Sequence, residues 1–283
     1  MQDKSILITG CSSGIGLSAA KGLQEKGYRV FASARKPQDV DNLKQLGFTD
    51  ALQLDLDSSE SINAAVDTVL EKNHGKLFAL FNNAGYQQPG AIEDLSRQAL
   101  RENFETNLFG THELTTRIIP VMRRQGYGRI VQNSSILGFI TLPYRGAYNA
   151  TKFAMEGLTD TLRLELVDTN IKVSLIEPGP ISGKFRANAY QAFVKNIDKE
   201  NSVHKEKYIG LERRLTSTGK KAPFTLPPEA VLEKLVHALE SDKPKARYRV
   251  TKPTLWFAIA KRLLGTRQMD KVLLKVAAGE VKR

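Results

Sequence analysis

Tyr148 and Lys152 stand four residues apart in the run Gly-Ala-Tyr-Asn-Ala-Thr-Lys over 146–152. On a helix, that spacing puts both side chains on one face, a single turn from each other. An ammonium beside a phenol favours the phenolate and pulls its pKa down from ~10 toward the working range. Such a pair can hand a proton to a carbonyl oxygen that gains negative charge as a hydride arrives. Alone, the spacing fits an ordinary amphipathic helix equally well, with a buried tyrosine and a solvated lysine. Ser135 lies thirteen residues before Tyr148, at the end of a strand-like run that starts at Gly128. A neutral hydroxyl there can donate to the same oxygen. Asn107 sits near the middle of a long helical pattern over 96–124. Asparagine competes for backbone groups inside a helix, so its presence predicts a local bend or a held water.

These residues need a frame that brings them together, and the chain supplies alternating strands and helices. Residues 5–9 read as a short buried strand, followed at once by Gly10-Cys-Ser-Ser-Gly14-Ile-Gly16 and a helical pattern over 17–27. Strand, glycine turn and helix together favour a pyrophosphate: the glycines allow close backbone approach, and the helix N-terminus favours its charge. The spacing is GxxxGxG rather than GxGxxG. The second strand, 28–33, leads to Arg35 and Lys36 with no carboxylate beside them. An acidic residue would accept from a ribose 2′-hydroxyl; two cations suit a 2′-phosphate. NADPH is therefore expected over NADH.

A helix over 37–46 precedes a third strand, 51–55, which ends at Asp55. That carboxylate is placed either to receive an adenine amino group or to cap the helix that starts near Ser58. After the helix over 61–72, a fourth strand, 77–81, runs into Asn82-Asn83-Ala84-Gly85, a nucleotide-pocket wall or a plain turn. The helix carrying Tyr148 extends over 146–169, and a sixth strand, 171–176, closes on Glu177-Pro178-Gly179-Pro180. From 183 to 228 the pattern loosens around isolated aromatics, Phe185, Tyr190, Phe193 and Tyr208, as in an irregular lid or binding loop. A helix from Pro228 and an edge strand over 245–250 follow. His237 reads as a partly exposed helix residue, and no His, Cys or carboxylate cluster has metal-site spacing.

At 283 residues, 41% apolar and 25% charged, the chain is ordinary for a globular protein with a substantial core. Its single cysteine, Cys11, excludes an internal disulfide and suits a reducing compartment. No signal peptide is read at the start and no apolar run reaches the ~18 residues of a membrane span, so a cytoplasmic setting is expected. The net charge of +12 is uneven: residues 242–283 hold twelve Lys or Arg against three Asp or Glu, leaving +3 for the rest. That tail alternates apolar and cationic residues at helical intervals, over 255–264 and 269–276. It suits a helix lying weakly on anionic lipid, or one packed over the substrate pocket or another subunit. The main body has no basic stripe, so nucleic acid is not an expected partner.

The pieces Thr9-Gly-Cys-Ser-Ser-Gly-Ile-Gly16, Asn82-Asn-Ala-Gly85, Asn107, Ser135, Tyr148-Asn-Ala-Thr-Lys152 and Pro178-Gly179 resemble, in order and spacing, the short-chain dehydrogenase/reductase family. The resemblance covers almost the whole chain and is nearest to bacterial NADP-dependent aldehyde reductases of the branch containing 17β-hydroxysteroid and retinol dehydrogenases. It implies an α/β fold, a Rossmann-type doubly wound parallel sheet with helices on both faces in a single domain. Within it, 1–182 would form the dinucleotide-binding and catalytic core, 183–227 a substrate lid, and 228–283 the closing helices and edge strand.

The resemblance also assigns roles. Tyr148 would protonate the carbonyl oxygen, Lys152 would bind the nicotinamide ribose, Ser135 would orient the carbonyl and Asn107 would hold a relay water. Contacts to NADP(H) would come from Gly10, Ser12, Ser13, Gly14, Ile15, Gly16, Arg35, Lys36, Asp55, Leu56, Asn83, Ala84, Gly85, Tyr148, Lys152, Pro178, Gly179 and Ile181. The chain departs from the family at the threonine often found five residues after the turn proline: Gly183 stands there, beside Ser182. Family members often form dimers or tetramers through the helices carrying Asn107 and Tyr148. The expected activity is reversible reduction of an apolar aldehyde or ketone by NADPH. The competing readings are an NADP(H) sensor without turnover, against which the complete Ser-Tyr-Lys set argues, and a membrane-associated retinol or steroid dehydrogenase.

Overall fold

The computed structural model describes residues 4–217 and 223–281. The strands are β1 (Ser5–Ile8), β2 (Arg29–Ala34), β3 (Leu52–Gln53), β4 (Ala79–Asn82), β5 (Gly128–Asn133), β6 (Ile171–Glu177) and β7 (Arg247–Arg249). They pair in parallel in the order β3-β2-β1-β4-β5-β6-β7. β1 is buried along its whole length, as a strand covered on both faces must be. The chain reverses its direction of winding between β1 and β4, and such a switch point opens a crevice beyond the strands' carboxyl ends. The fold is a doubly wound Rossmann-type sheet in a single domain.

Helices cover both faces. On one, α1 (Gly14–Glu25), α2 (Pro37–Gln45) and α9 (Glu229–Glu240) enclose a core with Ile6, Leu23, Phe81 and Leu235. On the other, α3 (Ser59–Lys72), α5 (Gly110–Gln125) and α6 (Gly146–Glu165) close over Leu7, Val69, Ile118 and Ile130. Local chemistry sets the ends: Pro37 opens α2, and Gly126 (φ 81°) ends α5 in the left-handed conformation that a glycine adopts without strain.

The pattern over 96–124 is one continuous helical rod with a defect in it. α4 (Arg97–Phe104) passes into a π-turn (Glu105–Phe109) and then into α5, so the bend expected at Asn107 is present. The stretch 183–228 departs from expectation, because two helices occupy it: α7 (Phe185–Asn196) and α8 (Lys205–Thr216). They pack on each other around Phe193 and Tyr208 and bury Ala91 beneath them. The Tyr208 hydroxyl donates to the Asp94 carboxylate and accepts from the Ala91 amide. The tail forms α10 (Lys252–Leu263) and α11 (Thr266–Val281). No described helix is long and apolar enough to cross a membrane.

Candidate active site

The crevice between β1 and β4 is built around Asn83. Its side-chain amide donates to the carbonyls of Thr9 (2.9 Å) and Gly10 (3.3 Å), and its oxygen accepts from Asn133 (2.9 Å). Thr9 Oγ1 accepts from the amides of Asn83 and Ala84. The ends of β1, β4 and β5 are thus tied into one rigid edge. Against it, Gly10 (φ 72°) and Gly14 (φ 58°) turn the chain into α1. A Cβ on Gly16 would lie 2.2 Å from the Gly10 carbonyl oxygen, so the turn is too tight for any side chain there.

Three observations fit a dinucleotide at this edge. Ser13 precedes α1 in extended conformation and its side chain caps nothing, so the first-turn amides keep their capacity for an anion. A Cβ on Gly14 would meet nothing within 4 Å. Arg35 and Lys36 are exposed just beyond β2, and neither takes part in an ion pair among the described residues. Asp55 is nearby but does not cap α3. Ser58 does so, accepting from the Ser61 amide at 3.2 Å, while Asp55 accepts from the Asp57 amide at 3.1 Å. Leu56 is buried in the core against Gly110. Cys11, also buried, is no nucleophile: desolvation pushes its thiol up to about 12.

On the other side of the crevice α6 presents Tyr148 and Lys152, both buried. Burial pushes the Tyr148 phenol above its ordinary value, opposed by a hydrogen bond with Ser135. The lowering expected from Lys152 is therefore absent. That ammonium lies 5.8 Å from the Tyr148 ring centroid and donates instead to the Asn133 carbonyl at 2.7 Å. The same desolvation drops Lys152 to about 8, with the Glu156 charge opposing it. Ser135 lies two residues beyond β5, its hydroxyl accepting from the Leu137 amide. Asn149 holds the loop that follows, donating to the carbonyls of Leu137 (2.9 Å) and Ile140 (2.8 Å).

Asn107 lies fully buried between the two halves of the site. It accepts from the Tyr86 amide at 2.9 Å, and donates to the Tyr86 carbonyl (2.9 Å) and to Thr151 Oγ1 (3.1 Å). The π-turn turns this amide inward, and the amide fixes the Tyr86 backbone against α6. A Cβ on Gly85 would approach Asn107 Oδ1 to 2.9 Å, so the Asn107 amide can sit this close only because residue 85 has no side chain. At the far edge, Pro178 accepts from the Ile136 amide, and Gly179 is pressed against Thr251. Ile181 bridges to Leu226, and its side chain packs on the α1-side core. Gly183 (φ 154°) passes close over Gly14, with 3.6 Å from its ideal Cβ position to the Gly14 Cα. That separation would admit a side chain; the backbone at φ 154° is what disfavours one, and it explains why glycine stands in place of the family threonine.

Further neighbours complete the site, Phe185 among them as one of the aromatics read from the sequence over 183–228. Phe185, at the start of α7, meets the Tyr148 ring edge-on at 5.7 Å between centroids. Leu137, Ile140, Met269 and Leu273 form an apolar cluster with Tyr148, flanked by Phe257 and Leu264 of the tail. The inner faces of α10 and α11 therefore wall the loop that follows β5. Behind Lys152, one turn further along α6, Glu156 meets Arg247 of β7 at 3.2 Å; Arg247 also reaches Asp160 (2.5 Å) and Glu177 (3.0 Å). The i, i+4 spacing of 148, 152, 156 and 160 is visible in the sequence, but their partner on β7 depends on the sheet order.

Glu156 makes a pH prediction. Burial, with the Glu177 charge, raises its carboxyl to about 7 against Arg247 and Ser134, well above the 4.5 of an unfolded chain. The folded state then holds a proton that the unfolded state has lost. This stability is complete below pH 4.5 and disappears as pH rises through 7. Glu177 is raised in the same sense. At ~1.4 kcal/mol per unit, Glu156 accounts for a decline of up to about 3 kcal/mol. Thermal melts should therefore fall between pH 5 and pH 7.5, and Glu156→Gln should flatten that slope. A parent melting temperature constant over the interval would contradict it.

With this geometry in hand, comparison with known proteins identifies the family. A profile described as short chain dehydrogenase matches residues 4–192. The chain belongs to the short-chain dehydrogenase/reductase family. It is 45% identical to the oxidoreductase YbbO of Escherichia coli K12, over 96% of this chain and 95% of that protein. It is 33% identical to an NADPH-dependent 3-dehydrocapnine reductase of Ornithobacterium rhinotracheale, over 95% of each. Among solved structures, a short-chain dehydrogenase from Streptomyces avermitilis superposes with a TM-score of 0.79, at 29% identity over 98% of both chains. The protein is thus an oxidoreductase of the short-chain type, acting on CH–OH groups or the corresponding carbonyls. Among the described residues no cluster suits a metal ion.

Proposed function

We propose that the protein reduces apolar aldehydes or ketones to alcohols with NADPH, and runs in reverse as an alcohol dehydrogenase. The observation that carries the reading is the meeting of Tyr148, Ser135 and Lys152 beside an apolar cluster of Leu137, Ile140, Met269 and Leu273. NADPH supplies the hydride when bound. Tyr148, held protonated by burial, donates its proton to the substrate oxygen, and Ser135 hydrogen-bonds the same oxygen. Lys152 keeps its charge near neutral pH and serves the ribose hydroxyls across Gly85. Asn107 positions the Tyr86 backbone and, in this reading, the relay water. The glycine turn and the α1 N-terminus take the pyrophosphate, Asn83 and Ala84 the adjoining ribose, and Pro178 to Ile181 the nicotinamide side. The apolar wall excludes water and selects substrates without charge.

Arg35 and Lys36 support NADPH, and the NADPH in the name of the Ornithobacterium relative points the same way. Coenzyme absorbance loss with retinal, straight-chain aldehydes and ketosteroids tests the reading, each substrate taken with NADPH and with NADH. Removing both cations in Arg35→Ala with Lys36→Ala should raise the KM for NADPH by more than about 100-fold, since two charge-assisted contacts at about 1.5–3 kcal/mol each are lost. The KM for NADH should stay within a few fold. Equal use of both coenzymes by the parent would remove the 2′-phosphate assignment. In the same reading the enzyme is cytoplasmic, and it pairs through α5 and α6, where Phe109 of the π-turn before α5 and Phe153, Leu158 and Leu164 of α6 are exposed.

A further inference from the structure

The tail helix α10 has two apolar faces. Phe257, Ala260 and Leu264 pack toward the Tyr148 loop, where Lys261 also donates to the Phe139 carbonyl. On the opposite side, Leu255, Ile259 and Leu263 recur at every fourth position with Trp256 beside them. They are 47%, 49%, 77% and 50% exposed. Phe224, itself half exposed, meets Trp256 edge-on at 5.0 Å and extends the patch. A lone exposed leucine on a protein surface needs no explanation, but a contiguous stripe of this kind does.

The charges around the stripe indicate what covers it. Lys252, Arg262, Arg267, Lys271 and Lys275 lie on α10 and α11, all exposed, against the single carboxylate of Asp270 over 252–275. A second copy of the same basic surface would repel this one, whereas an anionic surface attracts it. A tryptophan and aliphatic side chains flanked by cations match the headgroup boundary of a bilayer, where indole rings are favoured and each Lys or Arg adds attraction to anionic lipid. We propose that the outer face of α10 lies on anionic lipid membranes, with the sheet and the coenzyme crevice held in water behind it. The attachment is peripheral, since no described helix can span a bilayer.

Trp256 is the only tryptophan in the chain, so intrinsic emission reports on the proposed contact directly. The intact protein should sediment with phosphatidylglycerol vesicles at low ionic strength, with a blue shift of its emission, and should stay in solution with phosphatidylcholine vesicles. Salt at about 0.5 M should release it, because exposed charges are then screened within a few ångströms. Ile259→Glu with Leu263→Glu keeps the reporter; it should abolish sedimentation and the blue shift while the thermal melt stays unchanged. Failure of the parent protein to sediment with phosphatidylglycerol at low salt would overturn the proposal. So would a blue shift that grows with protein concentration in the absence of vesicles, if accompanied by an oligomer that the double variant dissolves. That outcome would give the face to a second copy of the chain. None of these readouts depends on turnover, so they stand apart from the fate of the reductase reading.

Discussion

Tyr148→Phe should lose on the order of 10³-fold in kcat while binding NADPH as the parent does, because it removes one proton donor and nothing else from the pocket. The phenylalanine keeps the edge-on contact with Phe185 and the packing against Leu137, Ile140, Met269 and Leu273. The loss corresponds to about 4 kcal/mol of transition-state stabilisation. The melting temperature should change little, since only the bond with Ser135 is removed. Coenzyme titration by fluorescence and single-turnover reduction separate the two effects. Turnover at the parent rate would mean that another group supplies the proton, and the reductase assignment to this site would fall. Loss of NADPH binding along with turnover would instead place Tyr148 in the architecture of the crevice.

Two helical glycines should respond in opposite directions to the same substitution. A Cβ on Gly110 would lie 1.9 Å from the Leu56 carbonyl oxygen and 2.7 Å from its carbon, both backbone atoms that cannot step aside. Gly110→Ala should therefore cost on the order of 3 kcal/mol, the upper range for overpacking. It should also slow the enzyme, because Gly110 directly follows the π-turn that aims Asn107 at Tyr86 and Thr151. Gly157, on the exposed side of α6, has nothing within 4 Å of its ideal Cβ. There alanine should stabilise by about 0.5–1 kcal/mol through helix propensity and a less flexible unfolded chain. Denaturant melts of the two variants give the signs. Equal effects would show that the contact between α5 and the β3–α3 loop yields more easily than its geometry implies.

The sheet was legible because parallel strands covered on both faces are written as unbroken apolar runs, as over 6–8 and 77–81. The Asn107 bend was legible too, since an amide inside a helical period conflicts with that helix. The two helices over 185–216 were hidden. Their buried positions, Ala189, Phe193, Tyr208 and Leu211, face each other and the loop near Ala91 instead of the main sheet, so neither helix has a wide apolar stripe. At Asp55 the sequence left two roles open, and the nearer hydroxyl of Ser58 took the cap. The direction of the Tyr148 shift depended on a quantity no spacing encodes, the depth of burial, which here exceeds the influence of the lysine. The grip of Arg247 on Glu156, Asp160 and Glu177 required β7 to lie beside β6, a long-range pairing outside any local pattern.

Chain order and pocket order differ in this protein. Proton donor, lysine and nucleotide turn are all synthesised by residue 179, yet half of the apolar wall beside them, including Met269 and Leu273, comes from residues 257–273. A nascent chain that had emerged only through β6 would hold its reactive groups in an open, wet cleft. Substrate choice is then the last property this chain acquires during its synthesis.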